Sequence, residues 1–490
     1  MRRSARRLQI QETTMSRLRS LLPCIVAGAV LATAARGRAQ GALDRPTQLT
    51  LQAAVDALVA RNLSVIAARY NVDLFRAQRV AAALKPEPTV TFAATQLTLP
   101  RVLAHPQYAG VAVADNSVLD TQFSVDVEKL VERGGKRELR VAQADIERQA
   151  AEARLGDELR QQTFALKQAF LSALLARDNL HVLRAALGDF ERLQHLFAER
   201  VDEGYTAGVD LRRIGLELVD LQGSVTALQA GYAHGVRDVL NLIGDGDKPS
   251  PSSLAPAARA VALDVPLSDL TDPFDDEDVD VLAGDLIVQP IAASIEQVRA
   301  LALENRADLR AARLELDAAE AALKLADASR ARDVTVGGQY LRSGPDNAVG
   351  VAVGVPLSTG RRADAAVAQV TAAKLQADAR WRQVRAQVLT DVEKAIVAYR
   401  VSRDRLRLFD GHILQQASEV RAIEQTAYQE GERGLLSLLD AQRAHNETLV
   451  SYNEARHAFA LSVYQLESAT GTSTTRLAGA PSSASGGSHD

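Results

Sequence analysis

Gly204-Tyr-Thr-Ala-Gly-Val-Asp-Leu211 opens a segment that runs with helical apolar periodicity to Leu242-Ile-Gly244. Gly431-Glu-Arg-Gly-Leu-Leu-Ser-Leu438 opens a second that runs to Ala469-Thr-Gly471. Both glycine pairs are offset by 227 positions, with no gap between them. A duplicated unit this long lies outside the periods of solenoids and propellers and points to a pseudo-symmetric assembly of two related halves.

Outward from the first turn, the preceding chain reads as helix, two strands and a very long helix. Thr50 to Leu84 is rich in Ala, Leu and Arg and is stopped by Pro86 and Pro88. Val90 to Leu99 is β-favouring, and a loop with His105, Pro106 and Gly110 follows. In Ser117 to Val127, Phe123, Val125 and Val127 alternate with Gln122, Ser124 and Asp126, a strand with one apolar and one polar face. After Gly134-Gly135 there is no proline to about Val201, which predicts a helix of roughly 100 Å. Leu180, Leu183, Leu187, Phe190, Phe197 and Val201 keep a 3-4 spacing. Beyond the turn Leu211, Ile214, Leu218, Leu221, Val225, Leu228 and Tyr232 resume it, as coiled-coil packing requires.

The second half repeats this order. Ser294 to about Arg332 reads as helix and Val334 to Leu341 as strand, with a turn at Asp346-Asn347. Val349, Val351, Val353 and Val355 alternate with small residues, the clearest strand of the chain. Gly360 ends it, and a second long helix is expected to about Glu430, with Ala395, Tyr399, Leu406, Phe409, Ile413 and Val420 at heptad spacing. A shorter helix ends near Gly471.

The expected organisation is a signal peptide over 1–39, a first repeat over 40–244, an acidic linker over 245–285, a second repeat over 286–471 and a disordered tail over 472–490. Arg17 and Arg19 precede an apolar core from Leu21 to Ala35, and Gly37-Arg38-Ala39 is a cleavage candidate; Met15 is an alternative start. The run is shorter than the roughly 20 residues a membrane helix needs. Nine carboxylates fall between Asp264 and Asp285, without the D-x-D-x-D-G spacing of a calcium loop, so a solvated linker is the simpler reading.

A net charge of −4 gives no basic excess for nucleic acid. The only cysteine is Cys24, and the only methionines are Met1 and Met15. A chain cleaved after residue 39 therefore holds no thiol or thioether for disulfides, Fe–S clusters or Met-rich copper sites. The eight histidines form no close pair, so neither a metal site nor a cofactor is expected. No nucleophile elbow, P-loop or H-E-x-x-H is present, and an enzyme is not expected. Four amphipathic strands cannot close a barrel alone, so an exported chain of this kind must oligomerise to span an outer membrane. Three copies would supply twelve strands, continued coaxially by the helices. The rivals are a periplasmic coiled-coil scaffold and an exported protein that binds cations on the acidic linker.

From about Leu49 to Gly471 the chain resembles the TolC-like outer-membrane efflux channels. The carriers are the duplicated element order, Val-Gly-Val-Pro-Leu at 353–357 and the turns opened by Gly204 and Gly431. Glu128 to Arg140, reading E-K-L-V-E-R-G-G-K-R-E-L-R, is most similar to the heavy-metal (cobalt–zinc–cadmium) branch. Val131 departs from the pattern, standing where the second repeat has Pro356. The resemblance implies a mainly α chain with a membrane β-barrel: a homotrimer with a twelve-stranded barrel in outer-membrane lipid and a periplasmic α-helical barrel. It further implies a periplasmic adaptor and an inner-membrane pump as partners, with no chemistry of its own. Metal ions, drugs or solvents, and secreted proteins all remain open as cargo.

The resemblance also implies roles at the turns. Gly204, Gly208 and Val209, with Gly431, Gly434 and Leu435, would form periplasmic tips that contact the adaptor. Asp210 matches a lock carboxylate, and Tyr428 and Arg433 match its partners. Asp440 matches one aspartate of a constriction ring, and Ser437 stands at the other ring position. A three-fold ring of Asp440 would attract cations through focused potential. Near a helix start, Asp440 is equally a solvated carboxylate favoured by the macrodipole.

Overall fold

Abundant Ala and Leu and sustained heptads produce helices of unusual length. In the computed structural model, which describes residues 48–95, 122–204, 207–245, 281–343, 346–357, 360–409 and 412–477, helix α3 alone spans 67 residues. The elements run α1 (Leu51–Arg61), α2 (Leu63–Ala83), β1 (Thr89–Thr95), β2 (Gln122–Val131), α3 (Lys136–Asp202) and α4 (Gly208–Leu242). After residue 281 come α5 (Ile295–Asn305), α6 (Ala307–Ala328), β3 (Val334–Ser343), β4 (Asp346–Gly354), α7 (Arg361–Arg407), α8 (Ile413–Gln429), α9 (Leu435–Thr470) and α10 (Thr474–Leu477). The leader, the His105 loop and most of the acidic linker and tail lie outside the described residues.

The strands form one antiparallel sheet in the order β1-β2-β3-β4. The register Phe92↔Val125↔Tyr340↔Val349 and Val90↔Val127↔Gly338↔Val351 puts one set of side chains on one face. That face is Val, Phe and Tyr, with charge only at Lys129 and Arg342, towards its opposite ends. The other face carries Gln122, Ser124, Asp126, Glu128 and Gln339 with small residues. Among the described residues nothing covers the apolar face: Val349 is 85% and Val351 84% exposed, and Phe92, Phe123 and Val127 are also exposed. Among the described residues, β1 and β4 each leave one edge unpaired.

The helices bury the heptad positions. Leu180, Phe190 and Phe197 of α3 and Ile214, Leu218 and Val225 of α4 are buried. In the second half Val388, Val392 and Tyr399 of α7 pack with Phe459, Val463 and Leu466 of α9 and Val298 and Ala302 of α5. The Tyr399 hydroxyl accepts from the Ile291 amide at 3.0 Å, which fixes the approach to α5.

Several sequence expectations need correction. The first helix breaks at Asn62, whose side chain accepts from the Val65 amide at 3.0 Å and so caps α2. The helix expected from Ser294 breaks at Arg306, which turns inward and pairs with Asp308 at 2.6 Å and Asp391 at 3.3 Å. The helix expected to reach Glu430 stops at Arg407 and restarts at Ile413, because His412 holds a left-handed φ of 68°. Ile413 and Val420 then lie exposed, and α8 buries no residue fully. Asp346 and Asn347, expected in a turn, are strand residues paired with Ser343 and Arg342. The linker and tail are also partly docked. Leu282 is buried, Arg177 donates to the carbonyls of Leu282 and Gly284, and Leu477 is buried with its carbonyl accepting from the Ala293 amide.

Candidate functional site

The two helix-to-helix turns end and restart their helices 227 positions apart, α3 and α8 at Asp202 and Gln429, α4 and α9 at Gly208 and Leu435. Gly204 and Gly431 adopt φ of 80° and 78°, the left-handed conformation that stops an α-helix. At the second turn the Gly431 amide donates to Tyr428 O at 3.1 Å, and the Glu432 amide to Ala427 O at 2.9 Å. A Cβ at either glycine would meet nothing within 4 Å, so substitution there strains only the backbone. Gly431→Ala is expected to cost about 1–2 kcal/mol, and Gly431→Asn less. Chemical denaturation followed by far-ultraviolet circular dichroism measures both.

Beneath the turns lies a small core of Phe190, Phe197, Ile214, Leu218, Leu435 and Leu439. Leu435 is only 6% exposed, so it supports the tip from inside instead of presenting a contact. Val209 and the neighbouring Leu436 are the exposed apolar residues there. Gly208 and Gly434 have open space around them.

The polar residues expected at the tip fall into four separate groups within the chain. Tyr428 stacks on Phe197 with ring centres 5.7 Å apart, and Arg200 Nη1 lies 3.5 Å from its hydroxyl. Burial pushes the Tyr428 phenol up, against the charge of Arg200, and Asp210 adds to the rise. Asp210 pairs with Arg213 at 3.6 Å in the first turn of α4. Arg433 approaches Glu424 at 4.0 Å, and Ser437 donates to the same carboxylate at 2.7 Å. Asp440 is exposed and lies 3.7 Å from Arg443, which bridges to Glu217 on α4 at 2.7 Å. Tyr428 and Asp210 are thus electrostatic neighbours, whereas Arg433 is turned to Glu424. Glu424, Arg200 and Glu217 went unread in the sequence, because nothing in their local spacing marks a partner on another helix.

Beside that core, α3, α8 and α9 leave a groove of about 410 Å³ lined by Asp189, Arg192, Arg200, Arg421, Tyr428 and Gln442. Asp189 pairs with Arg192 and accepts from Arg421 at 3.4 Å and Gln442 at 3.3 Å. Among the described residues no group of three or more His, Cys, Asp or Glu side chains is placed to hold a metal ion. No described helix is by itself long and apolar enough to cross a membrane.

The model of the outer membrane efflux protein family matches residues 298–472, and these contain β3, β4, the second long helices and the second tip. The chain has the fold of the TolC-like outer-membrane efflux channels. A membrane protein from Pseudomonas aeruginosa superposes with a TM-score of 0.67 at 17% identity, over 87% of this chain and 93% of that one. The outer membrane protein VceC from Vibrio cholerae gives 0.63 at 18% identity, over 86% and 96%. CusC, described with its transmembrane channel formation, gives 0.65 at 14% identity, over 86% and 92%. Comparison with curated protein sequences finds no match. The turns at Gly204 and Gly431 lie at the ends of the long helices away from the sheet.

Proposed function

We propose that this protein is the outer-membrane duct of a tripartite efflux system, a transport protein that conducts cargo delivered by an inner-membrane pump through a periplasmic adaptor. One observation carries the reading: a four-stranded sheet with an exposed apolar face, a polar reverse and two open edges. Such a sheet is unstable in water, since its apolar face and unpaired edges invite association. It is stable once closed with other copies, apolar face to lipid and polar face to a lumen. Strands of 7 to 10 residues suit a tilted membrane crossing. Three copies give twelve strands and a continuous helical tunnel below. A second apolar stripe supports assembly. Val397 and Val401 on α7, Leu408 just after it, Ile413, Val420 and Ile423 on α8, and Leu216 and Val219 on α4 are exposed in the single chain. They become buried if the helices of neighbouring copies pack side by side.

The tips close the tunnel and meet the adaptor in this reading. In the assembled state Asp210 serves as a lock carboxylate facing Tyr428 and Arg433, with Ser437 and Asp440 near the constriction. Gly204, Gly208, Val209, Gly431 and Gly434 present the adaptor surface. Asp210→Ala or Arg433→Ser should raise single-channel conductance severalfold in planar bilayers; unchanged conductance and closed-state lifetime would remove the lock assignment. The stretch Glu128–Arg140 favours divalent heavy-metal cations as cargo over drugs or a secreted protein. Growth of a deletion strain on Zn, Co, Cd, Ni and Cu salts, dyes and antibiotics decides this. Sensitivity confined to organic compounds rejects metals.

A further inference from the structure

The antiparallel register brings the start of β1, the end of β2, the start of β3 and the end of β4 to one end of the sheet, the end from which the long helices leave. Lys129, Arg133, Arg332, Arg361 and Arg362 stand at that end, all exposed and without an ion-pair partner among the described residues. Two contacts hold their segments together. The Arg133 amide donates to the Asp333 carboxylate at 2.9 Å, which sets Arg133 beside Arg332. Arg330 bonds Asp364 at 3.1 Å, which brings the start of α7, with Arg361 and Arg362, to the same place.

The acids at this end are already taken, apart from Glu87 and Glu128. Glu132 is bonded to Arg140, Asp333 to Lys136 at 2.8 Å, and Asp364 to Arg330. Helices α3 and α7 both begin here, after Gly135 and Gly360, with no side-chain cap on their free amides. The positive ends of two helix dipoles therefore add to the unpaired cations. This basic collar directly adjoins the apolar face, where Lys129 pairs in register with Val336.

We infer that the collar binds the phosphate headgroups of anionic phospholipid in the membrane leaflet nearest the helices. The inference rests on the proposed membrane barrel. A lipid whose acyl chains lie against Val127, Val336 and Val353 would place its phosphate at the level of the arginines. Lys and Arg stems can lie along apolar surface while their heads reach this layer. An anionic headgroup gains from each nearby cation, by an amount that salt reduces. The collar would fix the depth of the barrel and resist its sliding along the bilayer normal.

The test reconstitutes the full chain into nanodiscs of phosphatidylcholine with one-fifth phosphatidylglycerol, and measures by native mass spectrometry the lipids retained on the released oligomer. Wild type is expected to retain phosphatidylglycerol at least threefold above its bulk share. R133Q/R332Q/R361Q/R362Q should fall to the bulk share, and 0.5 M NaCl should have the same effect on wild type. R299Q/R403Q, altering arginines elsewhere on the helices, should match wild type. Inserted oligomers without this preference, or a quadruple variant that keeps it, would overturn the collar while leaving the barrel intact. A chain that never enters the nanodisc would overturn both.

Discussion

Val351→Arg should abolish accumulation of the protein as an outer-membrane oligomer, while Gln339→Arg should be tolerated. Both are exposed strand residues near the middle of the sheet, on opposite faces. If the apolar face meets lipid, an arginine at mid-depth costs about 2–4 kcal/mol. That cost is incurred once per copy in a closed assembly. Gln339 shares its face with Asp126 and Ser124, and a lumen accepts one more charge. Fractionation of membranes followed by immunoblotting measures both variants. Equal loss, or equal retention, would mean that the two faces see the same solvent.

The second large effect concerns Arg306. It is only 4% exposed, pairs with Asp308 and Asp391, and donates to Ala469 O at 3.4 Å. It therefore ties the break between α5 and α6 to α7 and α9. Arg306→Ala leaves two carboxylates facing a vacated site, and breaking a buried pair in this way costs about 3–5 kcal/mol. The lower end applies, because Asp308 and Asp391 keep partial access to solvent. Burial works against the Asp308 carboxylate, but hydrogen bonds and charge from Arg306 outweigh it and hold its pKa below the ordinary 3.8. A depressed carboxylate pKa stabilises the fold above its unfolded value, and that stabilisation is lost as pH falls through the folded value. The gap in thermal midpoint between wild type and Arg306→Ala should be full at pH 7 and narrow below about pH 4. A gap independent of pH would assign the loss to packing alone.

Much of this architecture is legible in the sequence, and the misses have physical causes. Period-two runs such as Val349 to Val353 and proline-free heptads such as Leu180 to Val201 mark elements whose geometry is set locally. The tip glycines were equally plain, since φ near +80° at Gly204 and Gly431 suits few other residues. The helix breaks were harder. Asn62 is a common cap residue, but Arg306 is a good helix former, and only its partners on distant segments explain its place at a break. His412 is preceded in sequence by Asp410-Gly411, a turn-favouring pair, but the heptad spacing of Leu406, Phe409, Ile413 and Val420 runs on through it. At the tips the sequence indicated which residues lie near the turns and not which of them pair. Glu424 takes Arg433 and Ser437 from across a turn, a choice made by helix packing.

The central claim is that the open sheet closes with other copies inside a membrane. Electrophoresis of outer-membrane fractions in dodecyl sulfate, with and without boiling, tests it most directly. The expected result is an unheated band at three times the chain mass that collapses to the monomer on boiling. A monomer band unchanged by heating, recovered in the soluble periplasmic fraction, would contradict it.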